Sequence, residues 1–221
     1  MRTLIAIKSC VWDSDRGAHQ AILETWGKDV VGADLLFFVG YDRALNNAVE
    51  GTVQIPTRDD YEHLQHKTHA ILRWSIQQGY DYTFLADNDT FLIPERLMKC
   101  HFENYDYFGL FETGNVMLGT TFTLDWYGEA VPNFYPWASG GYGYFVSRKA
   151  AEIVVATDPG RWTEDMYVGQ SLGPRIKRGI AAGKILGFQR EISWHYHSEP
   201  GNFETYNPAS KWMQNMYEKN R

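Results

Sequence analysis

A short apolar segment that runs directly into acidic residues, Tyr82-Thr83-Phe84-Leu85-Ala86-Asp87-Asn88-Asp89, sets the architecture of this chain. Its apolar part predicts a buried β-strand, and the carboxylates follow where that strand ends. Phe91 and Leu92 resume the apolar pattern, so the carboxylates are expected at the edge of the core. Positions i and i+2 of an extended segment face the same side, so Asp87 and Asp89 can converge on a hard divalent cation. An ordinary turn stabilised by aspartate side chains explains the same residues equally well.

The segments before this strand alternate between strand and helix patterns. Apolar runs predict strands at 4–9 and 34–40, and a helix is predicted at 18–26, ending at Gly27. A longer helix is predicted up to Gly79, with Asp59 and Asp60 in N-cap positions and Glu62 completing a capping box after Asp59. This alternation is typical of an α/β fold.

The second half of the chain has a different pattern. Pro94 suits the first turn of a helix, and residues 105–147 predict short aromatic-rich strands that are interrupted by glycines. Helices are predicted at 148–156, after Thr163 and from Asn207 to Tyr217. We therefore expect one α/β domain over 1–221, with a mixed central sheet flanked by helices and ligand chemistry beyond the carboxyl ends of its strands.

Composition and charge exclude several classes of partner. The chain has 221 residues, with 21 Lys plus Arg against 27 Asp plus Glu, and a formal charge of −6. No dense basic block occurs, which argues against nucleic acid and against a basic membrane patch. Small molecules are the expected partners, and the 15% aromatic content suits both a core and a cleft that stacks on sugar rings.

The cysteines and the N-terminal segment bear on the cellular compartment. Cys10 and Cys100 are far apart and form no C-x-x-C pair, so neither a disulfide framework nor a zinc ribbon is indicated, although one bridge is possible. The apolar run at 3–7 is too short for a signal peptide, and no stretch approaches the ~20 apolar residues of a membrane span. A cytoplasmic location is therefore expected.

Two further groups could carry chemistry. Glu164 and Asp165 open a predicted helix, where the helix dipole favours acidic residues, but one of them could also act as a general base. His195 and His197 alternate on a strand-like segment and could complete a metal site, although such a pair is commonly structural. The regular spacing of His63, His66 and His69 is typical of an exposed helical stripe.

Several familiar active-site motifs are absent from the sequence. Residues 138–141 lack the G-x-S-x-G elbow, and Val146 stands where a dinucleotide fingerprint after Gly141 needs a third glycine. The Walker lysine-serine pair is also missing, so a phosphate would have to be held by a metal and by scattered donors. Serine hydrolase, Rossmann and P-loop interpretations are therefore excluded.

Taken in order, motifs from residue 20 to residue 198 resemble the β-1,3-glycosyltransferases of glycosyltransferase family 31, which include galactosyl- and N-acetylglucosaminyltransferases and Fringe enzymes. Each motif alone is weak, and their shared order makes the resemblance specific. The motifs lie at 20–27, 61–64, 67–68, 73–74, 84–91, 135–144, 164–169 and 197–198.

The resemblance implies a GT-A fold, a UDP-sugar donor, a glycan or glycoconjugate acceptor, inversion at the anomeric carbon and a β-1,3 linkage. It also implies Mn²⁺ as cofactor, with Mg²⁺ as a substitute. Asp89 would ligate the metal and Asp87 would lie beside the metal and the sugar nucleotide. His197, followed by the small Ser198, is the preferred further ligand, with His195 as the alternative.

The remaining site residues are assigned by the same resemblance. Lys67, Lys8 and Asn88 would belong to the donor side of the cleft. The wall of the acceptor cleft would contain Trp137, Gly140, Gly141 and Tyr142. Asp165 corresponds to the residue that acts as base, with Glu164 as the alternative. Such a displacement needs no covalent enzyme intermediate, in agreement with the missing nucleophile elbow.

Departures from the family keep other functions open. Leu23 stands where the family usually carries arginine, and the usual membrane anchor, stem and cysteine framework are not matched. The competing hypotheses are an inactive nucleotide-sugar or carbohydrate-binding protein and a glycoside hydrolase. A hydrolase would need two carboxylates ~5 Å or ~6.5–9.5 Å apart across the bond and would ignore Mn²⁺ and UDP.

Overall fold

A seven-stranded mixed sheet forms the centre of the molecule. The computed structural model describes residues 1–41, 48–111, 122–124, 130–132, 135–160, 162–174, 176–180, 193–195 and 207–220. The strands of this sheet are β1 (Thr3–Lys8), β2 (Asp34–Gly40), β3 (Thr52–Ile55), β4 (Tyr82–Asp87), β6 (Tyr107–Gly109), β9 (Tyr144–Ser147) and β10 (Arg178–Ile180). Their order is β10-β6-β9-β4-β1-β2-β3.

The strand directions bring several strand ends to one edge. Strands β1 to β4 run parallel, whereas β9 is antiparallel to both of its neighbours, β4 and β6. Two further pairs lie outside this sheet: β5 (Thr90–Leu92) with β11 (Ser193–His195), and β7 (Phe122–Leu124) with β8 (Ala130–Pro132). The predicted mixed α/β architecture is therefore confirmed.

The described helices cover the two faces of the sheet. They are α1 (Val11–Asp15), α2 (Ala18–Glu24), α3 (Leu64–Gln77), α4 (Pro94–Met98), α5 (Arg148–Val155), α6 (Glu164–Leu172) and α7 (Asn207–Lys219). No described helix is long and apolar enough to cross a membrane.

Alternate side chains of β1 belong to the two halves of the core. Leu4 and Ala6 lie in the hydrophobic cluster shared with α3, α5 and α6, whereas Ile5 and Ile7 lie in the cluster shared with α2. Because successive side chains of a strand point to opposite faces, a strand buried on both sides reads as a continuous apolar run. This explains why β1 shows no polar alternation.

The N-terminus of α3 differs from the prediction. A one-turn 3₁₀ helix, Tyr61–His63, precedes α3, and the Asp60 side chain accepts a hydrogen bond from the His63 backbone N–H at 3.0 Å. The capping box predicted for Asp59 and Glu62 is wrong, because the Asp59 carboxylate binds the main chain N–H groups of Val11 and Gly40 at 2.8 and 2.5 Å. Asp59 thus ties the segment after β1 to the last residue of β2.

The two cysteines are both free, so the bridge that the sequence left possible is not formed. Burial raises the pKa of each thiol to about 12. Of the histidines predicted to form an exposed stripe, only His66 is exposed, whereas His63 and His69 are half-buried. His63 pairs with Asp60, and a ring nitrogen of His69 is 2.9 Å from the Tyr167 hydroxyl.

Candidate active site

The carboxyl ends of β1 and β4 place a lysine beside an aspartate. In the parallel register between these strands, Lys8 is the partner of Asp87. The Lys8 Nζ atom lies 3.0 Å from Asp87 Oδ1 and 2.9 Å from Glu164 Oε2, with the lysine side chain 1% exposed. Strand pairing and helix α6 therefore bring both predicted acidic groups to one buried ammonium.

Charge explains why this lysine stays ionised. Burial disfavours its charged form, but the carboxylates of Asp87 and Glu164 more than offset that effect, so the pKa of Lys8 is raised above its ordinary value. The ion pairs thus hold Lys8 within the protein, and its predicted contact with the donor remains a prediction.

Glu164 is fully engaged by protein groups. Its Oε1 atom accepts hydrogen bonds from Thr68 Oγ1 at 2.9 Å and from the Tyr144 hydroxyl, and its Oε2 atom faces Lys8. The residue is 5% exposed. A carboxylate with this many partners is stabilised in its place, and little of its surface is open to a substrate.

Gly140 is required by the close packing around Glu164. A Cβ atom at this position would lie 2.6 Å from Glu164 Oε2 and 3.5 Å from Lys8 Nζ. Any side chain here would push against the buried ion pair. The one-turn 3₁₀ helix Gly140–Tyr142 therefore packs directly against the Lys8 and Glu164 pair.

Asp165 differs from its neighbour in both access and pKa. It is partly exposed, and its Oδ1 atom accepts hydrogen bonds from Thr163 Oγ1 at 3.1 Å and from the Met166 N–H at 2.9 Å. Its Oδ2 atom lies 3.4 Å from the Gly140 N–H. Burial, followed by the charge of Glu164, raises the pKa of Asp165 to about 6. This value suits a group that must accept a proton near neutral pH.

The segment around Asp89 is a turn between two strands. β4 ends at Asp87, β5 begins at Thr90, and Asn88 and Asp89 form the turn between them. The expectation that Asp87 and Asp89 share one side of an extended strand is therefore wrong, because the strand ends at Asp87 and Asp89 lies in the turn. The Asn88 amide nitrogen donates to Ser9 Oγ at 3.0 Å and to Asp13 Oδ2 at 2.7 Å. These bonds tie the turn to the segment after β1.

Pairing between β5 and β11 brings the C-terminal part of the chain to the same place. His195 is the register partner of Thr90, which directly follows Asp89. The side chain of His195 and the whole of His197 lie outside the described residues. Within the part of the chain that the structure describes, no three histidine, cysteine or acidic side chains form a metal-binding group.

The other predicted site residues lie close to these groups. Lys67 is 2% exposed, binds the Ser9 carbonyl and pairs with Asp59 at 2.7 Å. Trp137 is 9% exposed and packs on α6, where a Cβ atom on Gly169 would lie 2.5 Å from its Cβ. Gly141 and Tyr142 are partly exposed. Lys67 is thus fixed between the end of β1 and the segment before α3, and Trp137 is fixed against the helix that carries Asp165.

Several residues at the site were not predicted. Thr68 and Tyr144 hold Glu164, Asp13 accepts a hydrogen bond from Asn88, and Tyr61 is 64% exposed. Burial of its hydroxyl and the nearby charge of Asp87 raise the pKa of Tyr61. Tyr61, Thr68 and Tyr144 each lie inside a family motif, which was the available signal, but their contacts depend on tertiary structure.

Comparison with known proteins identifies a matching family model, described as galactosyltransferase, over residues 18–177. Among solved structures, the chain is similar to a glycosyltransferase involved in the glycosylation of the major capsid of PBCV-1. That match has 11% identity and a TM-score of 0.50, and it covers 96% of this chain and 98% of the other. It shows the fold, in agreement with the predicted GT-A class.

A second similar structure is A197 from STIV, with 16% identity, 80% of each chain covered and a TM-score of 0.41. No curated protein matches this chain significantly.

Proposed function

Because this chain belongs to the galactosyltransferase family, the domain of glycosyltransferase family 31, and is a glycosyltransferase, we propose that it moves a sugar from UDP to a hydroxyl group of a glycan or glycoconjugate. The transfer inverts the anomeric carbon, forms a β-1,3 linkage and uses Mn²⁺. The observation that supports this proposal is that Asp87 and Glu164, the neighbour of Asp165, both pair with Lys8 at one edge of the sheet.

The donor side is formed by the turn after β4. Asp89 would hold the cation and Asp87 would support it, since carboxylate oxygens are the ligands that hard divalent cations prefer. His197, or His195 in its place, would be a further ligand, and the pairing of His195 with Thr90 supports this side of the cleft. A bound divalent cation would supply positive charge to offset the charge of the departing diphosphate.

Asp165 is the favoured base. It is more exposed than Glu164, and its pKa of about 6 leaves it ionised at pH 7 and still able to accept a proton. Glu164 offers fewer open positions because Thr68, Tyr144 and Lys8 occupy its oxygens. In the proposed reaction, Asp165 takes the proton from the acceptor hydroxyl as that oxygen attacks the anomeric carbon.

The acceptor side is formed by Gly140–Tyr142, next to Asp165. The Gly140 N–H is 3.4 Å from Asp165 Oδ2, so this turn and the base are held at a fixed separation. Thr90 Oγ1 donates to the Gly141 carbonyl at 2.9 Å, which links the acceptor turn to the strand after Asp89. Donor and acceptor sides are thereby oriented relative to each other, as proximity catalysis requires.

The proposal can be tested by calorimetric titration with UDP, UDP-galactose, UDP-glucose, UDP-N-acetylglucosamine and UDP-N-acetylgalactosamine. Each ligand is measured with Mn²⁺ and with a chelator, and the donor that binds is then used in an acceptor screen with linkage analysis of the product. We expect Mn²⁺-dependent binding of UDP and transfer from one of the sugars. Absence of binding for all five ligands would contradict the proposal, and binding without any product would favour an inactive relative.

A further inference from the structure

Lys8 is fixed at the point where a divalent cation would be expected to act. Its ammonium is 3.0 Å from Asp87, whose carboxylate is proposed to support the cation, and 2.9 Å from Glu164. The lysine is the last residue of β1, and its backbone pairs with β2 and β4. At 1% exposure it has no room to turn into solvent.

The surroundings of Lys8 prevent it from retreating. Glu164, its second partner, is held by Thr68 and Tyr144, and Gly140 packs directly against the pair. A cation at Asp87 would therefore lie close to an ammonium that stays in place. Two positive charges in a poorly hydrated site repel each other far more strongly than in water.

We propose that Lys8 weakens the binding of a bare divalent cation at Asp87 and makes that binding depend on a diphosphate. This inference rests on the proposed function. The complex of a divalent cation with a nucleoside diphosphate carries a net negative charge, so the buried ammonium attracts the complex although it repels the bare cation. By thermodynamic linkage, the factor by which the diphosphate tightens the binding of the cation is also the factor by which the cation tightens the binding of the diphosphate.

A purely structural role for Lys8 makes the opposite prediction. If the lysine only held the Asp87 side chain in position, its removal would leave the affinity for bare Mn²⁺ unchanged or would lower it. The two roles are therefore distinguished by the sign of the change in Mn²⁺ affinity, measured without any sugar transfer.

The experiment uses the double variant Lys8→Met/Glu164→Gln, titrated with Mn²⁺ and followed by the electron paramagnetic resonance of the free ion. Removing Lys8 and Glu164 together conserves the net charge of the protein. A single change would leave the other member of this pair as a buried charge without its partner. We expect bare Mn²⁺ to bind about tenfold more tightly or better, and the further gain on adding UDP to shrink by the same factor.

The matched control is Lys149→Met, because Lys149 pairs with Asp106 at 3.0 Å but is 64% exposed. It should leave Mn²⁺ binding unchanged. If thermal unfolding shows that the double variant does not fold, Lys8→Met alone supplies the test. That change removes the ammonium 3.0 Å from Asp87, so bare Mn²⁺ should bind more tightly than in the wild type.

The results separate this inference from the proposed function. A wild type that binds neither Mn²⁺ nor UDP would refute the proposed function. A wild type that binds both, together with a folded double variant that binds bare Mn²⁺ no more tightly, would overturn the role of Lys8 alone. Unchanged or weaker binding of bare Mn²⁺ in a folded Lys8→Met variant would overturn it as well.

Discussion

The change Glu164→Gln tests which of the two adjacent carboxylates is the base. Glutamine keeps the size and the hydrogen-bond acceptor that Thr68 and Tyr144 use, but it removes the negative charge next to Asp165. If Asp165 is the base, the variant should remain active, and the acid limb of its pH profile should move to lower pH.

The size of this shift follows from the causes of the raised pKa. Burial is the largest cause and the charge of Glu164 is the second, and together they raise the pKa of Asp165 to about 6. Because Glu164 is the second cause after burial, its removal should lower this pKa by on the order of one unit. Lys8 remains and acts in the same direction, since its charge also lowers the pKa of Asp165.

The assay is the rate of UDP release with saturating donor, acceptor and Mn²⁺, measured between about pH 4.5 and 8.5. The base must be unprotonated, so activity falls as the pH drops through the pKa of Asp165. We expect this midpoint near pH 6 in the wild type and roughly half a unit to one unit lower in Glu164→Gln. The plateau rate should fall by less than about tenfold, because a base of lower pKa is somewhat weaker.

Glu152→Gln on α5 is a matched control, because Glu152 is an exposed glutamate and should leave the profile unchanged. A loss of about 10² or more at every pH in Glu164→Gln would show that Glu164 is the base. A midpoint that moves to higher pH would refute the electrostatic reasoning even if activity is retained.

Three further predictions address the base, the metal and stability. Asp165→Asn should keep UDP affinity but lower transfer by ~10² or more, and retained turnover would exclude it as base. Asp89→Ala should abolish the Mn²⁺-dependent part of UDP binding in calorimetry, and an unchanged difference between Mn²⁺ and chelator would contradict its role as ligand. Burial lowers the pKa of His19 to about 4, so the folded state loses stability as the pH falls from 6.5 towards 4. Urea unfolding should show that the free energy of unfolding of the wild type falls by up to roughly 3 kcal/mol over this pH range, and that this loss is absent in His19→Gln. The same pH dependence of the free energy of unfolding in both proteins would contradict this prediction.

Much of the fold could be predicted because its signals are local. The apolar runs of β1, β2 and β4 and the periodicity of α3 depend on residues that are neighbours in the sequence. The Asp59 cap failed for the opposite reason. Its carboxylate is bound by N–H groups at Val11 and Gly40, which lie far away in the sequence and meet only in the folded sheet.

The candidate site shows the same contrast between features that depend on neighbouring residues and features that depend on distant ones. The motifs located the acidic groups at 87–89 and 164–165, but the pair at 164–165 left two candidates for the base. Partners from distant elements distinguish them: Tyr144 from β9 and Lys8 from β1 occupy Glu164, whereas Asp165 keeps an exposed edge. These contacts could not be predicted from the sequence because each depends on the register of another strand.

The pairing of β5 with β11 has a consequence for the synthesis of the protein. The strand after Asp89 finds its partner at Ser193–His195, about one hundred residues later and beyond the segment that the family model matches. A nascent chain can thus assemble β1, β2 and β4 long before this pair forms. A fragment that stops at residue 177 would keep every acidic residue of the candidate site and still leave β5 without its neighbour.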